Sequence, residues 1–187
     1  MIPYPKEFET KRKLRDGTEV ILRSIKPEDE MLWLEMFRNF SEKSVWNRFF
    51  NVIKETPHEV RVRYCDINYD NEIAIVAELQ KEKKMLGVVR FTVDTDRKSG
   101  ELAFIVVDRW QGLGLGTMMV EHMINICRDK KIEIIYSFML PNNYNGIKFL
   151  KKMGFNIEYL GEGDIKGALN LKKNTKIIDR IKDRQKK

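Results

Sequence analysis

Apolar and polar positions along the chain change period several times, and each change marks an element. In residues 14–25, LRDGTEVILRSI, a turn signal at Asp16-Gly17 precedes an alternation that puts Val20, Leu22 and Ser24 on one face. That pattern predicts a strand. Pro27 with Glu28, Asp29 and Glu30 then predicts a helix start, because proline suits the first turn and carboxylates complement the N-terminal dipole. Met31, Leu34, Phe37 and Phe40 supply its apolar stripe. Ser41 and Ser44 are each suited to cap the next segment, which contains Val45, Trp46, Phe49 and Phe50. Pro57 opens a third helical piece to about Cys65, with Val60 and Tyr64 on one face.

From Ile73 the pattern becomes extended. IAIVAEL (73–79) and MLGVVRFTV (85–93) predict a hairpin around Gln80–Lys84, and ELAFIVV (101–107) follows the polar turn Asp94–Ser99. Met118, Met119, Met123, Ile124 and Cys127 recur at helical spacing, and IEIIYSFML (132–140) reads as a buried strand. After the loop PNNYN, Ile147, Leu150 and Met153 share one helix face, which ends at Gly154. NIEYLG and GALNLKK predict two last strands joined near Gly163-Asp164. The order is one of a single α/β domain on a mixed sheet of about seven strands.

Composition narrows the class. At 187 residues and 42% apolar the chain can bury one good core. The boundaries read as an N-terminal extension at 1–13, the domain at 14–173 and a basic tail at 174–187. No run of about 18 apolar residues occurs, and MIPYPKEFETKRK has no apolar signal-peptide core, so no membrane partner is expected. Cys65 and Cys127 form no CxxC pair, and no histidines cluster near them, which excludes a zinc motif and points to a reducing cytoplasm. The formal charge of +7 sits mostly in residues 172–187, where eight Lys/Arg face Asp179 and Asp183. The body is almost neutral. Nucleic acid is therefore not an expected partner, and the tail reads as a solvated segment or terminal helix.

The most informative stretch is ELAFIVVDRWQGLGLGT, 101–117: a strand, a glycine turn and a helix start in succession. Free backbone N–H groups and the helix dipole converge at such a junction and favour an anion. QGLGLG lacks the GK[ST] of a nucleotide-triphosphate loop, and it is neither GxGxxG nor placed in a first βα unit. Its spacing suits the backbone cradle of a diphosphate, with glycine letting the ligand approach closely.

In this context the unit resembles the GNAT superfamily of acetyl-CoA-dependent N-acetyltransferases. Gln111, Gly114 and Gly116 match its [QR]xxG[LIV][GA] signature, and Asn143, Gly154 and Phe155 match a second one. The resemblance covers about residues 15–172. It is closer still to the GNAT domain of bacterial protein lysine acetyltransferases, through LRDGTEVILRSIKPEDE, SVWNRFF and DINYDNEIAIVAEL. It implies a mixed, mostly antiparallel sheet flanked by helices, acetyl-CoA as cosubstrate, no metal, and an amine acceptor such as a protein lysine. A small-molecule amine is the alternative acceptor, and a non-catalytic acyl-CoA-binding module the alternative function. The pyrophosphate would lie on Gln111, Gly112, Leu113, Gly114, Leu115, Gly116 and Thr117. The pantetheine arm would bond the backbone of Ile105, Val106 and Val107, and Asn143 would also touch the cofactor.

An attacking amine must be neutral, whereas a free lysine has a pKa near 10.4, so a base beside the thioester is useful. The resemblance places that base at Glu101, ten residues before Gln111; Glu78 is the alternative. Many members carry a Tyr acid where this chain has Leu150, which cannot protonate a thiolate. Ser137 and Tyr144 are substitutes, or the thiolate leaves without an acid. His58, His122 and Cys127 read as surface or packing residues. The cluster Trp46, Phe49 and Phe50 reads as core, with a substrate box as the alternative, and Arg48 as a structural partner of a carboxylate, with a substrate or cofactor role as its alternative.

Overall fold

The computed structural model describes residues 4–161, 163–174 and 181. Eight strands form one sheet: β1 (Thr10–Lys13), β2 (Glu19–Ser24), β3 (Glu72–Leu79), β4 (Lys84–Val93), β5 (Ser99–Val106), β6 (Ile134–Met139), β7 (Asn156–Tyr159) and β8 (Ile165–Asn170). Their spatial order is β1-β2-β3-β4-β5-β6-β8-β7. Every pairing is antiparallel except β5 with β6. The sequence predicts about seven strands; the eighth is β1. It lies inside the expected N-terminal extension and pairs Thr10–Lys13 with Leu22–Glu19. TKRK carries no apolar residue, so its pattern gives no strand signal, and lysines are what an edge strand tolerates.

One face of the sheet packs on α4 (Leu115–Asp129) and α5 (Tyr144–Lys152). Met119, Val120, Met123, Ile124 and Cys127 of α4 are buried against Leu22, Ile75, Phe91 and Leu102. Each such side chain stabilises the fold by roughly 1.5–3 kcal/mol relative to exposure. Ile147, Leu150 and Met153 complete that layer, in the predicted phase. Ile181 is fully buried in the same core, while the rest of the predicted basic tail, apart from Asn174, lies outside the described residues.

The other face carries α1 (Glu30–Arg38), α2 (Glu42–Phe49) and α3 (His58–Cys65). Here the stripe differs from the predicted one. Trp33, Met36 and Phe37 are the buried residues of α1, and Met31 points to solvent. Trp33 stacks on Phe37 and Tyr64 at centroid distances of 5.3 and 5.0 Å, which draws the tryptophan inward and rotates the helix accordingly. On α3 Val60 is exposed and only Cys65 is buried. A buried ion cluster ties β2, β3 and the start of α1 together. Arg23 binds both Asp29 oxygens at 2.6 and 2.8 Å and Glu78 at 2.6 Å.

Candidate active site

β5 and β6 run side by side for only three rungs: Ser99 with Ile134, Gly100 with Ile135, and Glu101 with Tyr136. Beyond them Leu102–Val106 pair only with β4, and Ser137–Met139 only with β8. A cleft therefore opens at Glu101 and widens toward Val106. Gly100 fixes the spot, because any side chain there would strike the Phe91 ring and the Thr92 carbonyl at 2.4 Å. Glu101 lies on the α1–α3 face with Ala103 and Ile105, since successive strand residues alternate faces and Ile105 belongs to that core. Its carboxylate makes no hydrogen bond or ion pair among the described residues. Glu78, the other candidate base, is held by Arg23 in the buried cluster, two strands away from β5.

At the far end of β5 a single helical turn, Asp108–Trp110, leads into the glycine turn. Gly112 and Gly114 have φ of +79° and +93°, so glycine is needed there for conformation. Within the protein itself a side chain would find room, since a Cβ built at Gly116 would meet nothing closer than 3.8 Å. The first intrahelical bond of α4 runs from Met118 N–H to the Gly114 carbonyl at 3.0 Å. The N–H groups of Leu115, Gly116 and Thr117 therefore leave the helix end without an intrahelical acceptor. The Leu115 side chain is buried, so only its backbone can serve a ligand. This end of the cleft fits a phosphate group: three donors, a helix dipole and no side chain in the way.

Two residues brace the turn without having been predicted for it. Arg15, from the β1–β2 turn, donates its main-chain N–H to Leu113 at 3.2 Å and its guanidinium to the Gly112 carbonyl at 3.4 Å. Asp108 accepts from Ser41 N–H at 2.9 Å, Ser41 Oγ at 2.7 Å and Ser44 Oγ at 2.9 Å. It thereby bolts the N-terminus of α2 to the end of β5. Ser41 is the N-cap, accepting from Ser44 N–H at 3.2 Å. Gln111 Nε2 donates to the Val106 carbonyl at 2.9 Å and reaches Ser44 Oγ at 3.4 Å. The contacts of Arg15, and those of Asp108 with Ser41 and Ser44, join residues 64 to 98 positions apart, which hid them.

Asn143 caps α5, its Oδ1 accepting from Gly146 N–H at 3.0 Å. Phe149 of that helix meets Phe104 of β5 at 4.9 Å, which sets α5 along the cleft. Leu150 is fully buried in the core. Ser137 is buried on the α4–α5 face of β6, opposite Gly167, and Tyr144 is largely exposed. Tyr136, across from Glu101, donates to Asp94 at 2.9 Å. Burial, then that bond and the nearby carboxylates of Asp94 and Glu101, push its phenol up to about 12.

Other expectations resolve simply. Cys127 is buried and its thiol raised by desolvation. His122 bonds the Phe8 carbonyl, and His58 pairs with Glu30 at the surface. Of the aromatic cluster, Phe49 packs on Phe37 and Tyr64, but Trp46 and Phe50 are 41% and 42% exposed rather than core. The helix phase that turns Val45 and Phe49 inward turns these two outward. Arg48 has no carboxylate partner among the described residues and lies over the Phe49 ring at 4.9 Å. A cavity of about 660 Å³ between β1–β2 and the β3–β4 turn, lined by Lys13, Val20, Leu79 and Lys81, contains none of these site residues. Among the described residues no three His, Cys, Asp or Glu side chains gather to hold a metal ion, and no helix is long and apolar enough to cross a membrane.

A mixed sheet that parts beside a glycine turn at a helix N-terminus is the frame of the site. Residues 31–155 match the model of the acetyltransferase (GNAT) family, and the chain belongs to that family. It is 27% identical over 126 residues to acetyltransferase PA5475 of Pseudomonas aeruginosa, covering 66% of this chain and 68% of that protein. Its fold is similar to the GNAT domain of S. lividans PAT, with a TM-score of 0.84 at 22% identity over 90% of this chain and 99% of that one. A PaiA N-acetyltransferase from Thermoplasma acidophilum, solved with coenzyme A, gives a TM-score of 0.66 at 15% identity, covering 81% and 98%. The protein is a GNAT acetyltransferase.

Proposed function

We propose that the protein transfers the acetyl group of acetyl-CoA to a primary amine, with the side chain of a protein lysine as acceptor and Glu101 as general base. The observation that carries this reading is the unengaged Glu101 carboxylate at the point where β5 and β6 part. A cosubstrate held by its pyrophosphate at residues 111–117 would lie along Ile105–Val107 and bring its thioester toward Glu101. The amine nitrogen attacks the thioester carbonyl while Glu101 takes its proton. The C–S bond then breaks, the amide is released, and CoA departs as the thiolate. Tyr136 is a poor acid for that thiolate: its phenol, near 12, holds its proton more tightly than a thiol with an ordinary pKa of about 8.5. In this reading the thiolate leaves without an acid.

A protein acceptor is favoured by three exposed apolar side chains on and just after α2, Trp46, Phe50 and Val52, which a small amine would leave uncovered. Single-turnover and steady-state transfer to a lysine-containing protein tests the reading. Glu101→Gln should lower kcat by about 10²–10⁴ at neutral pH with acetyl-CoA affinity unchanged. A variant as fast as the wild type would remove Glu101 from the role. Failure of the wild type to bind acetyl-CoA would remove the activity itself.

A further inference from the structure

On the Glu101 face of the sheet two guanidiniums stand close together, and their fates differ. Arg90 is fully engaged: it pairs with Glu72, donates to the Tyr64 carbonyl and lies over the Tyr64 ring. Arg48, from α2, is not engaged. Its Nε is buried without a hydrogen-bond partner among the described residues, and its guanidinium lies over the ring of Phe49. A buried donor left unpaired costs about 1–3 kcal/mol, more for a charged group, so a fold keeps one only where something else satisfies it. The groups whose charges bear on Arg48 are Tyr64, Arg90, Glu101 and Glu72. Glu72 is already committed to Arg90. Glu101 is the one acid in that set with no hydrogen bond or ion pair among the described residues. The two are nevertheless not bonded to each other.

An unpaired donor and an unpaired acceptor thus share one neighbourhood, on rigid supports. β5 carries Glu101, and the Asp108 clasp holds the helix that carries Arg48. We propose that Arg48 anchors the amine acceptor, its guanidinium binding a carbonyl or carboxylate oxygen of the substrate whose nitrogen Glu101 deprotonates. The assignment rests on the reading of Glu101 and the cleft given above and names the acceptor's chemistry: an amine that carries an oxygen acceptor within the length of its own side chain. A lysine in a peptide meets that requirement through its main-chain carbonyl. A simple alkylamine does not.

Three probe amines separate the sources of the oxygen: Nα-acetyl-lysine, with a free carboxylate; its methylamide, with carbonyls only; and pentylamine, with neither. With acetyl-CoA at saturation, the wild-type kcat/KM should fall about ten- to a hundredfold from the better lysine derivative to pentylamine, mainly through KM. Arg48→Gln should abolish that preference, read as the ratio of kcat/KM between the lysine derivative and pentylamine, while leaving the acetyl-CoA KM within about twofold of wild type. Arg48→Lys, which keeps the charge and N–H donors but not the planar guanidinium fork, should retain part of it. Calorimetric binding of Nα-acetyl-lysine to the CoA-loaded protein gives the same comparison without turnover. A preference unchanged in Arg48→Gln overturns the assignment. So does an equal loss for all three amines, or a weakened acetyl-CoA KM, either of which would make Arg48 a structural or cofactor residue. Wild-type protein that binds acetyl-CoA but shows no preference among the amines also overturns it while leaving the proposed reaction standing.

Discussion

The clasp at Asp108 offers the sharpest test of how the two sides of the cleft are joined. Asp108→Ala removes in one step the acceptor of three bonds, at 2.9, 2.7 and 2.9 Å, that hold Ser41 and Ser44. Hydrogen bonds to a charged group are worth about 1.5–3 kcal/mol each when buried, but this carboxylate is solvated, so the three together contribute about 1–2 kcal/mol. For a chain of this length that corresponds to a fall in Tm of about 3–8 °C. Burial raises the Asp108 carboxyl, and the Ser41 and Ser44 donors outweigh it, so the group titrates below its ordinary value. A depressed folded pKa gives stability that is present above the unfolded value of about 3.9 and lost as pH falls through the folded one. The gap between wild type and Asp108→Ala should therefore shrink below about pH 4, where Asp108→Asn, which keeps an acceptor oxygen, serves as the reference. Thermal unfolding across pH is the assay. A Tm change under about 1 °C at neutral pH, or a gap that widens in acid, would refute the reasoning.

Further outcomes follow from the same geometry. Gly114→Ala should weaken acetyl-CoA binding by calorimetry and cost about 1–2 kcal/mol through the φ of +93° alone, since its Cβ would only touch Arg15 at 3.5 Å. Arg23→Ala strands Asp29, buried to 1% exposure, and should cost about 3–5 kcal/mol in urea unfolding; a wild-type midpoint would contradict the buried cluster. The His122 ring is depressed chiefly by burial, with the Phe8 carbonyl partly opposing. Its folded pKa lies below the unfolded value of about 6.5, so stability should decline as pH drops below that point, and His122→Gln should flatten the decline.

Much of this was legible in the chain because local patterns determine it. The strand–glycine–helix junction is written in consecutive residues, and Ile147, Leu150 and Met153 fall on the buried face that their spacing predicts. β1 was not legible, because an edge strand of TKRK buries nothing and so leaves no apolar alternation. The α1 stripe was misphased by one position because Trp33, ringed by Phe37 and Tyr64, outweighs Met31 in buried area. The outward turn of Trp46 and Phe50 contradicts the usual burial of aromatics for a reason that lies in tertiary structure: the Asp108 clasp fixes how α2 is rotated. The contacts of Arg15, Arg48 and Asp108 depend on partners far away in sequence, which no window of residues displays.

The three-rung seam between β5 and β6 has one more consequence. A sheet normally has two borders, both at its rim, and proteins guard them because an open row of amides recruits any extended chain. Here the parting of the strands creates a second pair of borders in the interior, along Leu102–Val106 and the facing part of β6. Helices screen both faces of this gap, so what enters must be narrow and must carry amides of its own. A guest seated there as proposed would complete the sheet as a surrogate strand and turn the wedge into a splint: the protein's resistance to unfolding should then rise with the logarithm of guest concentration.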